Sequence, residues 1–135
     1  MSPPAKNLFA QSMSEQAYLD SEPYAELRRE YIDGAVYAMA GAHSNHNRIS
    51  GNLFRKIGNH LEAGSCEVFQ SDMRVKVAAN YFYPDLVVDC QHQAGYVSEA
   101  PVVIVEVISK STRQHSTSTK SCSIRIYCSN VGILK

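Results

Sequence analysis

The chain has 135 residues, 44% of them hydrophobic, 19% charged and 9% aromatic, enough for one packed core and too few for two ordinary domains. Thirteen basic and thirteen acidic residues cancel to a formal net charge of zero, which excludes a globally basic nucleic-acid coat and an acidic disordered chain. No apolar run is long enough for a membrane span, and Met1-Ser2-Pro3-Pro4-Ala5-Lys6 lacks the apolar stretch of a signal peptide, so a cytoplasmic, reducing home is predicted.

Residues 1–12 are polar and carry prolines, which predicts a flexible N-terminal arm. Ser14 followed by Glu15 is a cap and first-turn acid, predicting a short helix that Pro23 ends. Asp33-Gly34 between the β-favouring runs Tyr31-Ile32 and Ala35-Val36-Tyr37 signals a tight hairpin. From Ser44 to about Leu61, the apolar residues Ile49, Leu53, Ile57 and Leu61 recur every four positions, with Asn52, Arg55, Lys56 and Asn59 between them. That is the period of an amphipathic helix, stopped near Gly64.

Cys66 to Val77 alternates in polarity and reads as one half-buried strand whose polar face holds Gln70, Asp72, Arg74 and Lys76. Pro84 to Cys90 reads as a short strand with proline at its mouth, and Gln91 to Ala100 as a loop. Pro101 to Ile108 is a nearly unbroken β-branched run, the pattern of a strand covered on both faces. After Ser109 the pattern fades: nine of the fifteen residues from Ser109 to Ser123 are Ser or Thr, and no final strand is evident. The charge is uneven too. Residues 101–135 carry Lys110, Arg113, Lys120, Arg125 and Lys135 against Glu106 alone.

Cys66, Cys90, Cys122 and Cys128 form no CxxC pair, so no zinc site is expected, and Cys66 and Cys90 read as small buried hydrophobes. His43 and His46 form an HxxH pair at a helix start, for which capping or surface exposure is the simpler reading. Arg74 and Lys76 could meet phosphates, although paired surface charges are the ordinary outcome. Tyr81, Phe82 and Tyr83 could stack on bases, but packing around a strand entrance explains them as well.

Glu106 is the informative oddity, an ionisable group inside the most apolar strand. Burying an unpaired carboxylate costs several kcal/mol, so such a group is paired or binds a cation. Asp85 opens the preceding strand, and if the two strands are neighbours the carboxylates converge. Two carboxylates with waters suit Mg²⁺. The alternative is that Asp85 caps a turn and Glu106 is salt-bridged.

Glu30-Tyr31-Ile32-Asp33-Gly34, His46-Asn47-Arg48-Ile49, Ser71-Asp72-Met73-Arg74-Val75, Tyr83-Pro84-Asp85 and Val105-Glu106-Val107-Ile108-Ser109, in that order, resemble the Uma2 family. This family is a branch of the PD-(D/E)XK restriction-endonuclease-like superfamily. The resemblance covers roughly residues 13–120 and leaves 121–135 as an atypical tail. It implies an α/β fold with a restriction endonuclease-like core, a mixed β-sheet flanked by helices, whose C-terminal part is truncated or altered here. It also implies a Mg²⁺- or Mn²⁺-dependent DNA endonuclease. Asp85 and Glu106 match the metal ligands, Glu30 the N-terminal acidic residue, and Lys120 a lysine displaced to the following helix. Ile108 stands where the superfamily lysine is expected, and Ser116 replaces an aspartate four residues before Lys120. A catalytically inactive remnant or a nucleic-acid-binding module is the competing reading, and related nucleases often work as homodimers.

Overall fold

The computed structural model describes residues 11–39, 41–91, 94–109 and 122–128. Helix α1, Glu15–Ser21, starts where the sequence placed its cap: the Ser14 hydroxyl accepts the Ala17 N–H at 3.1 Å. A 3-10 turn over Glu22–Tyr24, with Pro23 in its first positions, ends that segment. Strands β2 (Arg29–Ile32) and β3 (Ala35–Ala38) form the expected hairpin. Asp33 at φ 49° and Gly34 at φ 81° both occupy the left-handed region, as a two-residue primed turn demands. Helix α2, Ser44–Leu61, matches the periodic run, with Ile49, Leu53, Ile57 and Leu61 on its inward side.

Strand β1 (Gln11–Ser12) pairs with β3, so two residues of the expected arm lie in a sheet, while residues 1–10 lie outside the described residues. The run Cys66 to Val77 is two strands rather than one: β4 (Glu67–Gln70) and β5 (Arg74–Val77) belong to different sheets. The chain turns between them, with the Met73 N–H donating to the Gln70 carbonyl at 3.1 Å. The Arg28 guanidinium holds that turn through the Ser71 carbonyl, the Ser71 hydroxyl and the Asp72 carboxylate. Alternation alone does not register such a turn, because the polar-apolar order continues through it.

Strands β6 (Asn80–Phe82), β7 (Leu86–Asp89), β8 (Val97–Ser98), β9 (Val103–Ser109) and β10 (Cys122–Cys128) complete the described chain. One sheet has the order β1-β3-β2-β6-β5-β8 and is mixed, since β5 and β8 run parallel; the other, β10-β9-β7-β4, is antiparallel. Strand β10 corrects the expectation that no final strand follows, because it pairs with β9 along its whole length. Its Ile124 and Ile126 are exposed, so the local sequence gives little sign of burial there. The helix expected between Ser109 and this strand lies outside the described residues.

Two apolar centres support the sheets. Tyr18, Tyr31, Val36 and Tyr81 form one, with Tyr18 and Tyr31 stacked at 5.1 Å between ring centroids. Val75, Val87 and Ile104 form the other. Arg74 is buried rather than on an open polar face: its guanidinium lies 5.7 Å from the Tyr18 ring and 5.9 Å from the Tyr81 ring. The rings offer a cation a negative face, which lets the strand bury a charge that would otherwise point outward. Tyr81 and Tyr83 are likewise core residues.

The cysteines also differ from expectation. Cys66 and Cys90 are joined in a disulfide, with Cα atoms 3.9 Å apart, instead of standing as separate small hydrophobes. The ladder explains it. Glu67 faces Asp89 in the β4–β7 pairing, so the residues one step further along face each other too. Cys128 is a free thiol. No helix among the described residues is long and apolar enough to cross a membrane.

Candidate functional site

Asp85 and Glu106 meet because β7 and β9 are adjacent antiparallel strands. Leu86 faces Val105 in that register, so Asp85, one residue before β7, comes opposite Glu106. Asp85 is anchored twice. Its Oδ2 accepts the Val107 N–H at 2.7 Å, and its Oδ1 lies 3.1 Å from His46 Nε2. The first contact fixes the carboxylate against the strand that carries Glu106. The second ties it to the first turn of α2.

Glu30 approaches from β2, in the other sheet. Its Oε1 accepts the Tyr83 N–H at 3.1 Å, which places it two residues along the chain from Asp85. Burial raises the Glu30 pKa, the Tyr83 hydrogen bond lowers it, and the Asp85 charge raises it again. Glu106 is affected more strongly. Burial first, then the negative charges of Asp85 and Glu30, push its pKa up to about 7, with Arg125 pulling in the other direction. Arg125 stands opposite Glu106 in the β9–β10 register. The raised pKa values of Glu30 and Glu106 mark a site of concentrated negative charge.

The donors are hard oxygens, the class that Mg²⁺ and Mn²⁺ take. Among the described residues, no group of three or more His, Cys, Asp or Glu side chains is arranged to hold a metal by itself. An ion held here would rest on one or two carboxylates and keep several waters, as Mg²⁺ does where it binds proteins. Asp85 and Glu106, opposed across one ladder, supply that pair, and Glu30 flanks it.

The sequence candidates Glu30, Asp85 and Glu106 thus come together. Lys120 lies outside the described residues. Of the histidine pair, His43 caps α2, its Nδ1 accepting the Asn45 N–H at 3.2 Å. His46 is the residue that composition and spacing missed as a member of the site. It is mostly buried, and its Nδ1 has no hydrogen-bond partner. The one signal was its place in the second motif of the resemblance.

Residues 15–134 match the model of the Uma2 family, described as "Putative restriction endonuclease". The uncharacterized protein slr1290 of Synechocystis sp. (strain ATCC 27184 / PCC 6803 / Kazusa) is 34% identical over 123 residues, covering 87% of this chain and 63% of the relative. A second from the same organism, the uncharacterized protein sll1609, is 36% identical over 101 residues, covering 70% of this chain and 57% of the relative. The chain therefore spans about three fifths of the length of the curated relatives it matches. A crystal structure from Anabaena variabilis ATCC 29413, described as a "putative nuclease belonging to DUF820", superposes with a TM-score of 0.51 at 19% identity. That match covers 56% of this chain and 42% of the other, and it shows a shared restriction endonuclease-like α/β fold.

Proposed function

The chain belongs to the Uma2 family, and from that membership together with the carboxylate cluster we propose that it is a metal-dependent endonuclease cleaving phosphodiester bonds in DNA. The observation that carries the reading is the cross-strand placement of Asp85 opposite Glu106, with Glu30 close enough to raise the Glu106 pKa.

Asp85 and Glu106 would hold Mg²⁺ or Mn²⁺. When bound, the ion supplies charge neutralisation at the scissile phosphate and acidifies a water. The rest of the chemistry belongs to the chain. Asp85 is kept in one orientation by the Val107 N–H and by His46, so its oxygens do not have to be ordered when substrate arrives. Burial and the neighbouring carboxylates raise the Glu106 pKa to about 7, so ionising it is coupled to the arrival of positive charge. Glu30, held by Tyr83, adds a flanking carboxylate able to orient a water. Lys120 would place a cation beside the extra negative charge of the pentavalent phosphorus.

A plasmid-nicking assay with and without Mg²⁺ or Mn²⁺ tests this. The expected result is ion-dependent nicking by the wild type and its loss in Asp85→Ala and Glu106→Ala, with unchanged circular dichroism spectra. Nicking that survives both substitutions overturns the assignment. DNA binding without ion-dependent cutting selects the alternative of a nucleic-acid-binding module.

A further inference from the structure

Helix α2 does more than deliver His46. Its eighteen residues include no carboxylate, whereas Arg48, Arg55 and Lys56 are all exposed. Asn45, Arg48, Asn52, Arg55 and Asn59 are spaced three and four residues apart, so they lie in one line along the helix. Every member of that line is exposed, and it lies opposite the inward side formed by Leu53 and Ile57. At 1.5 Å per residue the line is about 20 Å long.

Two features give this face a direction and a charge requirement. Its first residue, Asn45, precedes His46 in the chain, and His46 turns inward to contact Asp85, so the line begins at the turn of α2 that carries the site contact. Its cations are not used up within the fold either. None of the ion pairs among the described residues involves Arg48, Arg55 or Lys56, although Arg48 also bonds Asn45 Oδ1 at 2.9 Å. Duplex DNA carries a negative charge about every 1.7 Å of its axis, so a 20 Å line of guanidinium and amide donors can meet several phosphates. Arginine and asparagine side chains are also among those that bond phosphate oxygens and base edges. An acidic protein surface would satisfy the cations but has no special use for three interleaved asparagines.

We propose that the outward face of α2 is a docking surface for the backbone of double-stranded DNA, tracking the duplex away from the Asp85–Glu106 site. This rests on the endonuclease reading and specifies how its substrate is held. The experiment is fluorescence anisotropy on a labelled DNA duplex across a salt series, without divalent ion, beside the nicking assay. The variants are the triple substitution Arg48→Gln, Arg55→Gln, Lys56→Gln and the single Asn52→Glu, which keep residue types suited to an exposed helix. Asn52→Glu also sets an acid four residues before Lys56, a helix-supporting pair, so lost binding with unchanged melting is not misfolding.

The expected result is that the triple variant binds at least about tenfold more weakly and that the slope of log K against log salt is shallower by about two to three. Asn52→Glu weakens binding, and nicking by both variants is recovered at high DNA concentration. Glu106→Ala binds like the wild type but does not cut. Wild-type nicking with unaltered affinity and salt slope in the triple variant overturns the docking surface and leaves the endonuclease standing. A wild type that neither binds nor cuts duplex DNA overturns both.

Discussion

His46 Nε2 lies 3.1 Å from Asp85 Oδ1, while the carboxylate's other oxygen takes the backbone N–H of Val107. One aspartate is thereby held by a helix and by the strand beside it. Replacing His46 with Ala removes one of the two restraints without touching Glu106. The expected outcome is a fall in nicking rate of about ten- to a hundredfold, the usual effect of removing a ligand's supporting partner. Isothermal titration with Mg²⁺ should show weaker binding in the same variant, and an unchanged rate with unchanged metal affinity contradicts the role.

The raised pKa of Glu106 sets a pH dependence of stability. An exposed glutamate titrates at 4.5, but burial and the Asp85 and Glu30 charges bring Glu106 to about 7 in the folded chain. The folded state therefore keeps a proton that the unfolded state has already released. That stabilisation is complete below pH 4.5 and is lost as pH rises through about 7. The metal-free protein should melt at lower temperature at about pH 8 than at about pH 5. Glu106→Gln should flatten the difference and gain on the order of 1–3 kcal/mol at the higher pH. Millimolar Mg²⁺ should raise the wild-type melting temperature at about pH 8, and a melting curve insensitive to both changes refutes the coupling.

Glu22 is a second test of buried charge, outside the site. Its carboxylate is almost fully buried, accepting the Arg29 N–H at 2.8 Å, the Arg29 Nε–H at 2.9 Å and the Tyr83 hydroxyl at 3.1 Å. Glu22→Ala leaves the Arg29 guanidinium without its carboxylate and the Tyr83 hydroxyl without its acceptor. A destabilisation of about 3–5 kcal/mol is expected, the range for breaking a buried pair. Urea denaturation measures it.

The Cys66–Cys90 link closes a segment with a sequence separation of 24. On the chain-entropy argument, opening a loop of that size costs about 3 kcal/mol. Unfolding in urea with and without reductant should show that loss, and Cys66→Ser with Cys90→Ser should reproduce it. Identical midpoints in all cases mean that the link adds nothing to stability.

What could be read from the residues was what local chemistry determines. Ser14 with Glu15, Asp33-Gly34 and the four-residue spacing from Ile49 to Leu61 each encode their element within a few positions, and all three appear where expected. The approach of Asp85 to Glu106 was also legible, since an acid in an apolar strand needs a partner. What escaped depends on distant segments. The disulfide follows from β4 pairing with β7, the burial of Arg74 from two tyrosines on other elements, and β10 from a partner strand formed by other residues. His46 escaped for the same reason. Nothing near it in the chain indicates that a carboxylate 39 positions away will face it.

Strand β7 joins two of these features, with the disulfide at its far end and Asp85 at its entrance. A β-ladder can slide only in whole steps, and a slide of a single step would send Asp85 to the opposite face from Glu106. The sulfur bridge forbids β7 from sliding past β4. Any change of register between β7 and β9 must therefore carry β4 along with β7, so the step that parts the acidic pair has to move two strands at once.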